Sequence, residues 1–322
     1  MFSQLCLGGG LASGLNIVQG VNEYFKDSVN EVCYGSVRLQ PLLYQDDVLH
    51  LAASRNNSQA ACIKIEAVMK SKQLLVHPDK SCLLIAAKRQ RMDEIKSEIN
   101  ANPIKYDNFD VKIKKEAKYL GDWVSEGGNR EAISATFKKR KGIAQNGIFE
   151  IASIIQDVRV HAIGGLMCGI DIFNMSIIPM LLYNLEDFTE MEEELVSEFE
   201  QIQTLFLSIL LAVPLTCPRP ALTWDTKSLS IVNRIIERKL NFILHLQNLE
   251  ENALAKEVYK EQLKYEWPGL TKEAKFLCQE MNLPDITKEE EGHEKMKKKK
   301  WKSKIKEAVE KKNERDLRKD ME

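Results

Sequence analysis

Residues 42–52 read LLYQDDVLHLA, two apolar runs on either side of an adjacent pair of aspartates, Asp46 and Asp47. This pattern predicts two short strands joined by a polar turn. Like charges a few ångströms apart disfavour each other's ionisation, so the pair is costly unless something balances it. A bound Mg²⁺ would do so, because magnesium prefers one or two carboxylates plus substrate phosphates. Neighbouring side chains of a strand point to opposite faces, so a tight turn is needed to bring both acids to one ion. Taken alone, an aspartate pair is weak evidence, and the tetrapeptide reads first as a simple turn with solvated acids.

Outward from the hairpin, the chain changes character in three zones. In the first, 1–125, VCYGSVRL (32–39) is strand-like. RNNSQAACIKIEAVMKSK (55–72) contains no Gly or Pro and reads as a helix. LLVHPDKSCLLI (74–85) places two apolar runs around a polar centre, the pattern of a second hairpin. A helix is expected over 89–100, and FDVKIKKEAKYLGDWVS (109–125) alternates as a strand pair before Gly127-Gly128 closes the zone.

The second zone, 126–283, is helical. Ile133, Phe137, Ala144, Ile148, Ile151 and Ile155 form one apolar stripe, and Val196, Phe199, Ile202, Phe206, Ile209 and Val213 another. The proline cluster PLTCPRP (214–220) should stop the helix before it, and Leu229, Val232, Ile236, Leu240, Ile243 and Leu244 make a third stripe. The last zone, 284–322, holds KMKKKKWKSKIK (295–306), with eight lysines and no acid. Its counterpart is EDFTEMEEELVSEFE (186–200), with eight acids and no base, a candidate surface for protein partners. The net charge of −1 therefore hides two strong local fields, though it excludes a uniformly basic nucleic-acid binder. Each run also reads as a solvated helix face.

The order of these segments resembles the reverse transcriptases of non-LTR (LINE-type) retrotransposons over residues 1 to about 265. YQDDVLHLAAS resembles the family's Tyr-x-Asp-Asp hairpin. SKQLLVHPDKSCLLI resembles its Gly-Leu-x-x-Asn-x-x-Lys-(Ser/Thr) segment, with Lys80-Ser81 in the last places and Gln73 and Pro78 departing from the pattern. KYLGDWVSEGG (118–128) is similar to the Tyr-Leu-Gly strand that grips the primer. IIPMLLYNLEDF (177–188) and AVPLTCPRPAL (212–222) resemble thumb-side segments. SQLCLGGGLASGLN (3–16) resembles the Gln-Gly segment that packs against the template base, with Leu5 where Gly is usual.

The resemblance implies an α+β chain: a partial polymerase palm of antiparallel sheet and helices (1–125), a helical thumb or connection region (126–283) and a basic helical tail (284–322). It implies RNA-directed DNA polymerisation on an RNA template and DNA primer, using two Mg²⁺ ions. Asp46 would be the main metal ligand and Asp47 the supporting one. Gln4, Tyr44, Gln45, Lys80, Tyr119, Leu120 and Gly121 would contact nucleotide or primer. In the tail, Lys297, Lys298, Lys299, Lys300 and Lys302 would meet nucleic-acid backbone, with Trp301 stacking on a base. The family's third metal-binding carboxylate lies roughly 90 residues before the hairpin, where this chain has 45 residues ahead of Asp46. Glu23 and Asp27 fall in a stretch that reads as a helix. The expectation is an N-terminally truncated fragment, inactive alone, because two carboxylates do not hold the two ions that the reaction uses. A non-catalytic RNA- or DNA-binding protein and a helical interaction protein are the alternatives.

Other features are less informative. A length of 322 residues suggests two domains at about 150 residues each, and 44% apolar content is enough for a core. The seven cysteines are widely spaced with no C-x-x-C pair, as expected of small apolar side chains in a reducing interior. LCLGGGLASGLNIV (5–18) is too broken by glycine for a signal sequence, and 162–183 contains Asp171, Asn174 and Pro179, so it reads as a buried helix. The chain is expected to be intracellular, in cytoplasm or nucleus, with no membrane partner. A glycine-rich phosphate loop is disfavoured because residues 8–14 lack the Gly-Lys-Ser/Thr ending. His77, His161 and His245 read as ordinary loop or helix-face residues.

Overall fold

The hairpin at the aspartate pair is present. In the computed structural model, Leu42–Tyr44 (β4) pairs antiparallel with Asp47–Ala52 (β5), with Tyr44 opposite Asp47. The structure describes residues 2–8, 32–39, 41–44, 47–87, 89–161, 165–186, 189, 193–288 and 298–322. It is a mixed α+β protein that divides into two compact units, Met1–Ile133 and Ser134–Glu322.

In the first unit, Phe2–Gly8 (β1) lies against β5 on one side and Cys82–Ala86 (β6) on the other, both antiparallel. The sheet order is β4-β5-β1-β6. The segment 74–85 is therefore not a hairpin: β6 pairs with β1. Its apolar run explains this. Leu83 and Ile85 are buried on one face and Cys82 and Leu84 on the other, so the strand needs cover on both sides.

Two helices cover the first face. Arg55–Ser71 (α1) starts at Ser54, whose Oγ accepts from the Asn57 backbone N–H at 3.2 Å, and Arg89–Ala101 (α2) follows β6. Val48, Leu83 and Ile85 meet Ile65, Val68 and Ile95 there. On the second face, Leu49, Cys82 and Leu84 pack against Ala117 and Val124 of a further hairpin, Glu116–Tyr119 (β9) with Asp122–Ser125 (β10). Two small hairpins complete the unit: Val32–Tyr34 (β2) with Val37–Leu39 (β3), and Lys105–Tyr106 (β7) with Phe109–Asp110 (β8).

The second unit is helical. Asn129–His161 (α3) enters it. Gly165–Ile172 (α4) continues through a π-helical turn, Phe173–Ile177, into Ile178–Leu181 (α5). This run buries one side only: Phe173, Ile177 and Leu181 are inside, whereas Met167, Asp171 and Met175 are exposed. Glu193–Leu211 (α6) ends before the proline cluster, and Arg219–Asp225 (α7) begins within it. Phe137 stacks on Phe199 with centroids 4.0 Å apart, and Phe173 on Phe206 at 4.2 Å.

Ile231–Gln247 (α8), Leu254–Lys264 (α9), Leu270–Glu280 (α10) and Lys298–Met321 (α11) share one apolar cluster. Val232, expected in the third stripe, is exposed, and Ile231 and Ile235 are buried instead. The basic tail is not a solvated appendage. Ile305 and Val309 are fully buried against the α8 side of the cluster, and Leu317 is buried further along the helix. Among the described residues, no helix is long and apolar enough to cross a membrane.

Candidate functional site

One end of the four-stranded sheet brings together three of the expected residues, Tyr44, Asp47 and Lys80. Asp47 opens β5, Tyr44 stands opposite it, and Gly8 is its partner on β1. Lys80 lies in the turn two residues before β6, at this same end. Strands are spaced by about 4.8 Å, so the backbones of β5 and β6, with β1 between them, are about 10 Å apart. Side chains two apart on a strand share a face, so Asp47 lies on the face of Leu49. Paired residues also share a face, which adds Tyr44 and Leu42.

That face is the one covered by the β9–β10 hairpin. The Tyr119 hydroxyl donates to the Leu42 carbonyl at 3.4 Å, tying this hairpin to the outer strand. Leu120 and Gly121 form its turn, with φ of 48° and 95°. Both values are positive, the geometry of a type I′ turn matched to strand twist. Tyr44 remains 55% exposed and Lys80 is exposed, so this end of the sheet presents an aromatic ring and an ammonium to solvent, with Asp47 half-buried between them in the strand order.

The turn carrying Lys80 is held from outside. Lys112 makes an ion pair with Asp79 at 3.1 Å, and Lys114 donates to the Asp79 carbonyl at 3.0 Å. The Lys112 hydrogen bond and charge hold the Asp79 carboxyl below its usual range. His77 accepts from the Asp79 N–H, and the Ser81 hydroxyl donates to the His77 carbonyl at 2.9 Å. Sequence reasoning missed Lys112 and Lys114. Their signal is the period of two in VKIKK (111–115), where Val111 is buried and the lysines alternate with it.

Gln4 lies within a strand rather than a turn, at a register position between Leu51 and Leu84. Gln45, Asp46 and Lys297 lie outside the described residues. Lys298, Lys299, Lys300 and Lys302 are exposed on α11. Trp301 differs from the expectation: it packs against the apolar cluster of the second unit, with the Lys304 ammonium 6.0 Å from its ring centroid. Its indole is committed to the fold and is not a free stacking platform. The acidic run is also partly used internally. Glu186 binds Arg238 at 3.0 Å, Glu198 binds Lys141 at 3.0 Å, and Glu200 is buried with its carboxyl pushed up by desolvation. Glu200 accepts the Val232 N–H at 3.1 Å at the start of α8.

Among the described residues, the donors at this end of the sheet do not make up a set for two magnesium ions. Asp47 is the described carboxylate at this end of the sheet, and β1, FSQLCLG, contains no Asp or Glu. Among the described residues, no group of three His, Cys, Asp or Glu side chains is placed to hold a metal. No family model matches the chain, and no curated protein matches it.

Proposed function

We propose that this chain is a reverse-transcriptase-like protein of the non-LTR retrotransposon kind that binds nucleic acid and does not polymerise unaided. The observation that carries this reading is the sheet order β4-β5-β1-β6 with the Tyr-x-Asp-Asp hairpin at its edge. The hairpin resembling the primer grip covers the same face, through the Tyr119–Leu42 contact. Lys80 stands at the aspartate end, where a nucleotide's phosphates would be neutralised. The strand beside β5 offers Gly8, not a carboxylate, opposite Asp47. Two-metal nucleotidyl transfer depends on carboxylates converging from more than one strand, so the strand partner that the chemistry needs is missing from this register.

A primer–template binding and extension assay on the full chain tests both halves, with Mg²⁺ or Mn²⁺ and with Asp46→Asn as comparison. Binding without extension is expected. Extension that depends on Asp46 would overturn the inactive half. Failure to bind primer–template even at low salt would overturn the family reading.

A further inference from the structure

The second unit carries a linear cationic strip that the candidate site does not use. Ile305, Val309 and Leu317 fix which side of α11 is buried. On another side stand Lys300, Lys304, Lys311, Arg315 and Arg318, at spacings that fall within about 60° of one another at 3.6 residues per turn. They extend over about 27 Å at 1.5 Å per residue. Four of them line a groove of about 590 Å³ whose other wall is Met281, Asn282 and Leu283. Glu307 and Glu314 also line it, so the cations outnumber the acids there.

The strip is pre-ordered. Lys304 is held over the Trp301 ring, and Arg318 lies over Trp224 with its guanidinium carbon 5.9 Å from the centroid. Lys311 is braced by Glu307 at 2.7 Å. Lys311 and Arg315 are both exposed. The apolar side of α11 is already buried in the unit, so the helix has no free apolar face to insert into a bilayer. The groove combines a row of cations with the apolar side chains of Met281 and Leu283, the pairing that suits a phosphate chain with bases resting beside it.

We propose that the Lys300–Arg318 strip of α11 binds the backbone of a single-stranded nucleic acid. The inference rests on the nucleic-acid half of the reading above and is independent of the polymerase half. The test uses the full chain and fluorescently labelled single-stranded RNA and DNA 20-mers, with anisotropy read across a KCl series. The Lys311→Gln/Arg315→Gln double variant is expected to lose on the order of tenfold in affinity. Its log–log salt slope should fall by about 1.4, at about 0.7 for each single-strand phosphate no longer neutralised. Lys272→Gln/Lys306→Gln, which removes the same charge off the groove, should stay near wild type. Equal losses in the two double variants would overturn the proposal. So would wild-type protein that binds anionic phosphatidylserine vesicles but neither oligonucleotide.

Discussion

Gly8 is the antiparallel partner of Asp47, across the boundary between β1 and β5. This pairing places a residue with no side chain where a second strand would need to offer a carboxylate. The strand pair that flanks the aspartates is supported by α1 on one face of its sheet and the β9–β10 hairpin on the other, and among the described residues β1 adds no carboxylate to Asp47.

Gly8→Asp should restore one. In metal-free buffer the new carboxylate faces Asp47, and directly opposed like charges cost about 0.2–1 kcal/mol. Millimolar Mn²⁺ should recover that loss and add stability, because a ligand that binds only the folded state stabilises it by mass action. Thermal melts of wild type and variant, with EDTA and with Mn²⁺, measure this. Equal Mn²⁺ shifts in the two proteins would show that the pairing does not bring the two carboxylates to one ion.

The β9–β10 turn is built on an unfavourable residue. Leu120 has φ of 48°, where a side chain with Cβ crowds its own carbonyl, while Gly121 at 95° is unstrained. Leu120→Asn should stabilise the first unit by about 1 kcal/mol, since Asn-Gly is a preferred type I′ pair. Gly121→Ala should cost more than about 1 kcal/mol for the opposite reason. Urea melts give both signs, and a destabilised Leu120→Asn would mean that Leu120 contributes more through packing than it costs in backbone strain.

The two hairpins at the site are legible in the sequence because local signals agree there. Asp46-Asp47 interrupts apolar alternation in one, and Leu120-Gly121 does so in the other. The strand Cys82–Ala86 is not, because its partner, β1, lies about eighty residues away in sequence, as in Gln4 opposite Leu84. No local period reports such a pairing. The tail is obscured for another reason: its lysines mask Ile305, Val309 and Leu317, whose spacings of four and eight residues mark a buried helix side. The approach of Lys80 to the Asp47 end follows from β1 entering between β5 and β6, so it too is beyond local pattern.

His50 gives the first unit a defined acid response. It is 7% exposed on β5, and burial, with the nearby Lys64 charge, pushes its pKa down from 6.5 to about 4. Between those values the unfolded chain binds the proton and the folded one does not, so stability is full above pH 6.5 and falls as pH drops toward 4. At about 1.4 kcal/mol per pKa unit, the contribution lost is on the order of 3–4 kcal/mol. His50→Gln should flatten the urea midpoint against pH over this window. An unchanged slope would show that other groups dominate.

Asn313 ties the tail helix to the start of α8. Its Oδ1 accepts the Ser230 backbone N–H at 3.0 Å and the Asn233 side-chain amide at 3.1 Å, while its Nδ2 donates to the Ser228 carbonyl at 3.3 Å. The residue is 7% exposed, so water is a poor substitute for these bonds. Asn313→Leu nearly conserves volume but strands a buried donor and a buried acceptor, at about 1–3 kcal/mol each. The expected loss is about 2–4 kcal/mol, with faster amide exchange across 298–321 than in α6. If α11 exchanges as slowly as in wild type, its apolar contacts through Ile305 and Val309 suffice to dock it. In that case the polar ties to Ser228 and Ser230 set only its register.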